Sequence, residues 1–393
     1  MNEERLRSIQ QALREEKVDA WIFADFRGSD PIAQRLLGLS GKTMVTRRWF
    51  YVIPAEGEPT RLCNQIEPHS LDHLPGSLVL YGQWQDWQAK LAKALTGVKA
   101  LACQYSPEGV IPALGRLDAG MGEYLCGLGL QLVSSGDLVA RFEVTLSEAQ
   151  TKGHYHAMEV LLDTVDMAFA RVRAALDAGD PLTEYALQQA MLDHMKAGGL
   201  VTDAPPIVGV DAHAADPHYE PGPEGSSTIR GGQVLLLDLW GKEQTPESVY
   251  ADITWCAWTG ATVPEEQGKV FRIVRDARDA GIAKALTAAR DKVCGWEVDR
   301  ATRDVIDRAG YGDYFIHRTG HSIYEEDHAN GANMDDYETR DTRRLLADTL
   351  FSIEPGIYLP GRFGFRSEVN VLVGSEDAVV TGRKQEDLPA LLA

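Results

Sequence analysis

Four carboxylates occupy positions where a soluble protein ordinarily keeps apolar side chains. Asp238 lies in Leu235-Leu236-Leu237-Asp238-Leu239 and Asp252 in Val249-Tyr250-Ala251-Asp252-Ile253-Thr254; Glu354 follows Phe351-Ser352-Ile353, and Glu368 lies in Phe365-Arg366-Ser367-Glu368-Val369. Burying a lone carboxylate costs on the order of several kcal/mol, so each needs a cation, an arginine or several donors. The two aspartates alone read as strand-end carboxylates satisfied by backbone N–H groups. Four in similar settings would repel one another unless metal ions neutralise them. Ile316-His317-Arg318-Thr319-Gly320-His321-Ser322 offers a fifth, imidazole ligand. The His-x-x-x-His spacing lacks the glutamate of His-Glu-x-x-His and follows the extended-looking Tyr314-Phe315-Ile316, so it reads as strand and loop, not as a helical zinc pair. One imidazole with four carboxylates suits Mn²⁺, Co²⁺ or Zn²⁺ in a two-metal site, with the ions roughly 3.5 Å apart.

The elements that must position these groups follow from periodicity. Over the first 140 or so residues apolar runs alternate with helical patterns, an α/β arrangement: a helix at 4–16 and strands at 19–24, 50–54, 77–81, 100–104 and 131–134. No Gly-x-Gly-x-x-Gly follows any of them, which leaves a dinucleotide site without support. Ser147-Glu148-Ala149-Gln150 has the form of a capping box opening a long helix to about Asp177. The chain therefore reads as residues 1–143 and 144–393. In the second part, helices at 148–177 and 182–197 precede strands at 233–240 and 249–258; helices at 264–290 and 296–308 precede strands at 349–358 and 364–373. Helix-helix-strands used twice predicts an α+β domain with an internal pseudo-two-fold repeat and a shared sheet, with two of the four carboxylates in each half.

The chain has 393 residues, 58 acidic against 39 basic, and a formal charge of −19. Without clustered Lys/Arg a nucleic-acid partner is excluded. No leader pattern or membrane-length apolar run is present, so the expected location is cytoplasmic, with no membrane partner. Five scattered cysteines read as reduced packing residues. His154 and His156 point to nearly opposite helix faces and read as solvent-exposed, not as a metal pair. His69, His73, His194 and His213 lack ligand company, and His218 and His328 are ambiguous on physics alone.

Glu354-Pro355-Gly356-Ile357-Tyr358, then Arg366-Ser367-Glu368, with Gly320-His321 and a second histidine seven residues on, resembles the pita-bread metallopeptidases, in the branch of Xaa-Pro dipeptidase (prolidase) and aminopeptidase P. The resemblance covers the whole length, with a smaller creatinase/prolidase-like N-terminal domain before the catalytic one. It implies that Asp238 chelates one metal, Asp252 and Glu368 bridge two, and His321 and Glu354 complete the other. It also implies that Glu354 accepts the proton, that His328 supports the tetrahedral intermediate, that His218 lies near the substrate and that His317 lines the proline subsite. Arg366 matches an arginine near the substrate, or pairs with a ligand carboxylate. Arg340 stands fourteen residues before Glu354, the spacing of a prolidase arginine that grips the free carboxylate of a dipeptide, or it is one of several arginines in a charged loop. The implied substrates are small peptides with proline second, and the implied assembly is a homodimer.

Four departures bear on the pocket: Trp240 two residues after Asp238, Trp255 in place of the usual arginine, Ser322 after His321, and an insertion at Gln244-Thr245-Pro246-Glu247-Ser248. The expected activity is dipeptide hydrolysis releasing proline. Alternatives are an aminopeptidase P acting on longer peptides, and metal-free creatine hydrolases or non-catalytic interaction proteins of the same fold, which typically lose ligands that are all present here.

Overall fold

The structure is a computed structural model describing residues 1–39, 45–245 and 247–393. It divides into two compact units, Met1–Glu143 and Val144–Ala393. In the first, a mixed six-stranded sheet runs in the order Ser77–Tyr81, Thr60–Asn64, Trp49–Pro54, Ala20–Asp25, Ala100–Cys103, Gln131–Ser134. Trp21, Phe23, Trp49 and Tyr51 pack into one apolar cluster, and the intervening Ala20, Ile22, Phe50 and Val52 into another. Alternate residues thus bury opposite faces of the central strands, which explains their near-continuous apolar runs. Thr60–Asn64 escapes the sequence reading because its polar residues break any alternation; pairing on both sides makes it a strand.

In the second unit Ser147 caps the helix Glu148–Ala178, Gln150 reaches back to the Ser147 backbone, and Gly179 ends the helix at a φ of 73°. After the helix Glu184–Ala197, the strand Val234–Glu243 pairs with Leu200–Val201, Ile207–Val210 and Ala251–Trp258. Helices Glu265–Ala285 and Gly295–Arg308 precede a second sheet, ordered Ser322–Ile323, Thr349–Ile353, Val369–Val373, Ala378–Val380, and the hairpin Gly356–Leu359/Phe363–Arg366. Helix-helix-strands therefore occurs twice, as the internal repeat read from the sequence predicts.

Two expectations need correction here. Among the described residues the halves do not share one hydrogen-bonded sheet. They meet through Asn370, which accepts the Asp252 N–H at 3.0 Å and donates to the Asp252 carbonyl at 2.7 Å, and through two backbone bonds, Glu368 N–H to the Thr254 carbonyl at 3.3 Å and Tyr250 N–H to the Tyr324 carbonyl at 3.0 Å. The expected continuous strands at 349–358 and 364–373 are each broken, at Glu354-Pro355 and at Ser367-Glu368. Proline cannot donate to a ladder, and both glutamates sit where the chain leaves one set of strands for another.

His154 is also not solvent-exposed. It is fully buried, its Nδ1 bound to the Tyr250 carbonyl at 2.8 Å and its Nε2 to Thr381 Oγ1 at 2.7 Å. Two residues apart on a helix is roughly 200° of rotation, so with His156 outside His154 must face inward. Cys126 is exposed as well, not packed; Cys63, Cys103 and Cys256 are buried.

Burial pushes the His154 imidazole down to about 4. The unfolded chain then binds a proton below about 6.5 that the folded protein refuses until about 4, so stability rises with pH through that window. Between pH 7 and 5, at constant metal, the wild type is expected to lose about 2 kcal/mol more than His154→Gln, measured by denaturant unfolding. Equal losses would show that the ring takes up a proton inside the fold.

Candidate metal centre

The strand Val234–Glu243 turns Leu235, Leu237 and Leu239 into the core under the long helix, which leaves Asp238 and Trp240 on the opposite face. Its antiparallel partner sets Thr254 opposite Asp238 and Asp252 opposite Trp240, so Asp238, Asp252 and Thr254 share that face. The loop carrying His317 and His321 is fixed from beneath by the helix Gly295–Arg308. Asp299 accepts the Thr319 N–H and hydroxyl at 3.0 and 2.7 Å, and Arg303 donates to the Phe315 and His317 carbonyls at 2.9 and 2.7 Å. Gly320 is required at its position, because a Cβ there would stand 2.0 Å from the Ser352 carbonyl oxygen. That close approach brings His321 over Glu354, whose N–H donates to the Thr319 carbonyl at 2.7 Å.

Asp238, Asp252, His321 and Glu368 are all buried, and Glu354 nearly so. His321 Nε2 lies 3.5 Å from Asp252 Oδ2 and 3.4 Å from Glu354 Oε1. Asp252, His321 and Glu368 each offer a ligand atom, all within 4.8 Å of one another. His321 Nδ1 sits 3.1 Å from the Asp327 carbonyl, which can only accept; the proton therefore belongs on Nδ1, leaving Nε2 as a lone pair facing the carboxylates. Asp252 Oδ1 and Glu368 Oε1 are buried without a hydrogen-bond partner. Burial, and then the mutual charge of Glu368, Asp327, Asp238 and Glu354, push the Asp252 carboxyl well above the usual range. Burial, with Glu354 and Asp238 beside it, does the same to Glu368. Burial raises Glu354 to about 7 although Arg366 pulls it down. Orphaned acceptors in a repelling group, with an imidazole lone pair aimed among them, form a donor set that fits divalent cations.

Arg366 is buried and held: it pairs with Asp238 Oδ2, donates from Nε to Thr254 Oγ1 at 2.9 Å and from Nη1 to Tyr358 at 3.0 Å. Arg366 is thus paired with Asp238 and also lines the cavity above it. A cavity of about 690 Å³ opens above the carboxylates and is lined also by His218, His317, His328, Arg318, Trp240 and Asp327. His317 Nε2 meets Tyr358 Oη at 2.8 Å, and burial, with Arg366 adding to it, drives the His317 imidazole down to about 3. The His328 ring lies 4.1 Å from that of His321 and its side chain is 66% exposed.

Arg340 is not brought to this cavity. Its side chain is 58% exposed, 3.8 Å from Asp336 and stacked 4.4 Å over Trp296, so the charged-loop alternative describes its surroundings. Of the departures, Trp240 lines the cavity and donates to Asp203 at 2.7 Å. Trp255, one residue out of phase with Thr254, faces away beneath Arg383. Ser322 is buried beside Asn333. Within the insertion, Pro246 lies outside the described residues. Sequence reasoning missed Thr254 and Asn370, each two residues from a residue it had singled out, and Arg318 and Asp327, which adjoin His317 and His328. It also missed Asp203, for which no sequence signal exists.

Residues 156–375 match the family model described as Metallopeptidase family M24. The Xaa-Pro dipeptidase of Lactobacillus helveticus is 34% identical over 165 residues, 41% of this chain and 40% of that protein. The crystal structure of dipeptidase PepE from Mycobacterium ulcerans superposes with a TM-score of 0.66 at 26% identity, covering 99% of this chain and 97% of that one. Prolidase from Pyrococcus horikoshii OT3, at 22% identity and a TM-score of 0.59, shares the fold over 98% and 99% of the two chains. Among the curated relatives, the matched segments span 40% to 62% of three proteins' own lengths. No helix among the described residues is long and apolar enough to cross a membrane.

Proposed function

We propose, from the premise that the chain belongs to metallopeptidase family M24, that it hydrolyses the Xaa-Pro bond of dipeptides and releases proline. The observation that carries this reading is the pair of buried carboxylates, Asp252 and Glu368, each with an unpartnered oxygen and each offering a ligand atom within 4.8 Å of one from His321. In this reading residues 1–143 form the N-terminal domain and 144–393 the catalytic one. Asp238, Asp252, His321, Glu354 and Glu368 would hold two divalent ions, Mn²⁺, Co²⁺ or Zn²⁺. Bound there, the ions would polarise the scissile carbonyl and make water a competent nucleophile near neutral pH.

The chain's own groups do the rest. Glu354 takes the proton of the attacking water at a carboxylate oxygen and delivers it to the proline nitrogen as the bond breaks. Arg366 and Thr254 hold Asp238 in place. His328 and His218, on the cavity wall, donate to the oxygen on which charge develops. His317, neutral and braced by Tyr358, presents a flat wall to the pyrrolidine ring. An Xaa-Pro bond has no N–H for a peptidase to grip, so a site built on carbonyl polarisation suits it. The resemblance extends the proposal to a cytoplasmic homodimer.

The test is an assay of the full chain, stripped by chelation and reloaded with Mn²⁺, Co²⁺ or Zn²⁺, on Xaa-Pro dipeptides and Xaa-Pro-Xaa tripeptides. Expected are activity restored by metal and a dipeptide rate at least tenfold above the tripeptide rate. Preference for tripeptides would establish the aminopeptidase alternative; turnover indifferent to chelation would end the metal reading.

A further inference from the structure

The cavity wall carries two arginines, and they differ in what they have left to offer. Arg366 is buried, and each of its three nitrogens already meets a partner, Asp238, Thr254 or Tyr358. Arg318 is pinned through its backbone instead: its N–H donates to Glu338 Oε1 at 3.2 Å and its carbonyl accepts from His317 Nδ1 at 2.6 Å. Among the described residues its guanidinium meets no hydrogen-bond or ion-pair partner, although Asp203, Glu220, Glu326, Asp327 and Glu338 line the same cavity. Its charge is felt at Glu354, Asp327, His321 and His328, which places the head group within electrostatic reach of the reacting centre. An unspent, fork-shaped cation on a backbone held at both its N–H and its carbonyl, lining a cavity, is a prepared seat for a planar anion.

We propose that Arg318 is the residue that sets substrate length, its guanidinium binding the free α-carboxylate of a dipeptide while the acidic wall favours the free amine. This rests on the peptidase reading above and takes over the part that the sequence suggested for Arg340. A peptide extended beyond proline has no carboxylate at that point and leaves Arg318 unpaired.

The test compares Xaa-Pro with Xaa-Pro-amide on the metal-loaded wild type, Arg318→Ala, Arg318→Lys and Arg340→Ala. A charge-assisted pair of this kind is expected to give the wild type a roughly 10- to 100-fold preference for the acid in kcat/KM. Arg318→Ala loses that preference by slowing the acid alone, Arg318→Lys keeps part of it, and Arg340→Ala keeps all of it. A second readout needs no turnover: calorimetry of proline against prolinamide shows the same preference and its loss in Arg318→Ala. An unchanged acid-to-amide ratio in Arg318→Ala, or acid and amide falling together, overturns the assignment. A wild type that binds proline over prolinamide but hydrolyses no Xaa-Pro peptide would sink the peptidase reading and leave the anion seat standing. Hydrolysis without discrimination against the amide does the reverse.

Discussion

Glu368→Gln is expected to lower kcat/KM on an Xaa-Pro dipeptide by at least roughly a thousandfold, and in the same protein to raise the melting temperature of the metal-free form. The two effects have one cause. Glu368 is buried with Oε1 unpartnered, and burial together with Glu354 and Asp238 raises its carboxyl well above the ordinary range. In the proposed ligand set that charge is indispensable: losing one anionic donor from a two-ion site would remove several kcal/mol of transition-state stabilisation, and about 4 kcal/mol is a thousandfold in rate. Without metal the same charge is a burden. Glutamine keeps the shape and replaces repulsion with a donor among carboxylates, for a gain of about 1–3 kcal/mol in the metal-free protein. Elemental analysis, steady-state kinetics and unfolding of the chelated protein read the three quantities separately. A variant retaining two ions and wild-type turnover would remove Glu368 from the proposed ligand set; one that is inactive but less stable without metal would mean the carboxylate contributes to folding in some other way.

What could be read from the sequence divides along physical lines. Asp238 and Asp252 stood out because a charged residue inside an apolar strand is costly enough to demand an explanation. Strand alternation also placed Thr254 beside Asp252 for anyone who counted two residues on, since period two fixes the face. The breaks at Glu354 and Glu368 were less visible: apolar runs of similar composition flank both, and Pro355 was the sole local sign that the ladder stops. Long-range facts left no trace. That Asn370 would join the halves, that Asp203 would receive Trp240, or that His154 would reach Thr381 depends on residues far apart in the chain meeting in space. The arginines show the limit most plainly. Spacing from Glu354 singled out Arg340, whereas the cavity is lined by Arg318, because a charged loop can turn a side chain outward without changing its distance along the sequence.

Removing the metal is expected to lower the melting temperature by an amount that grows with pH between about 5 and 8. Ions bound at about a hundred times their dissociation constants stabilise the fold by about 2.7 kcal/mol per site, so two sites supply about 5 kcal/mol. For a unit of this size that corresponds to roughly 10–20 °C. The pH dependence follows from the carboxyls. Asp252, Glu368 and Glu354 are all raised by burial, the last to about 7, so each prefers its proton in the folded, metal-free protein. At pH values below the ordinary carboxylate range they are protonated folded or unfolded, and no penalty exists. As pH rises the unfolded chain ionises first, so the metal-free fold loses stability until each folded value is passed. Cations take the place of those protons, so the loaded protein escapes this loss and metal affinity climbs with pH. Taking the difference between loaded and chelated melting temperatures cancels groups remote from the site, including His154, whose own trend runs the other way. A gap that stayed flat or narrowed from pH 5 to 8 would mean that the ions are held elsewhere than among these carboxylates. A gap that widens, and that shrinks in Glu368→Gln, would tie the same side chains to folding, to metal and to turnover.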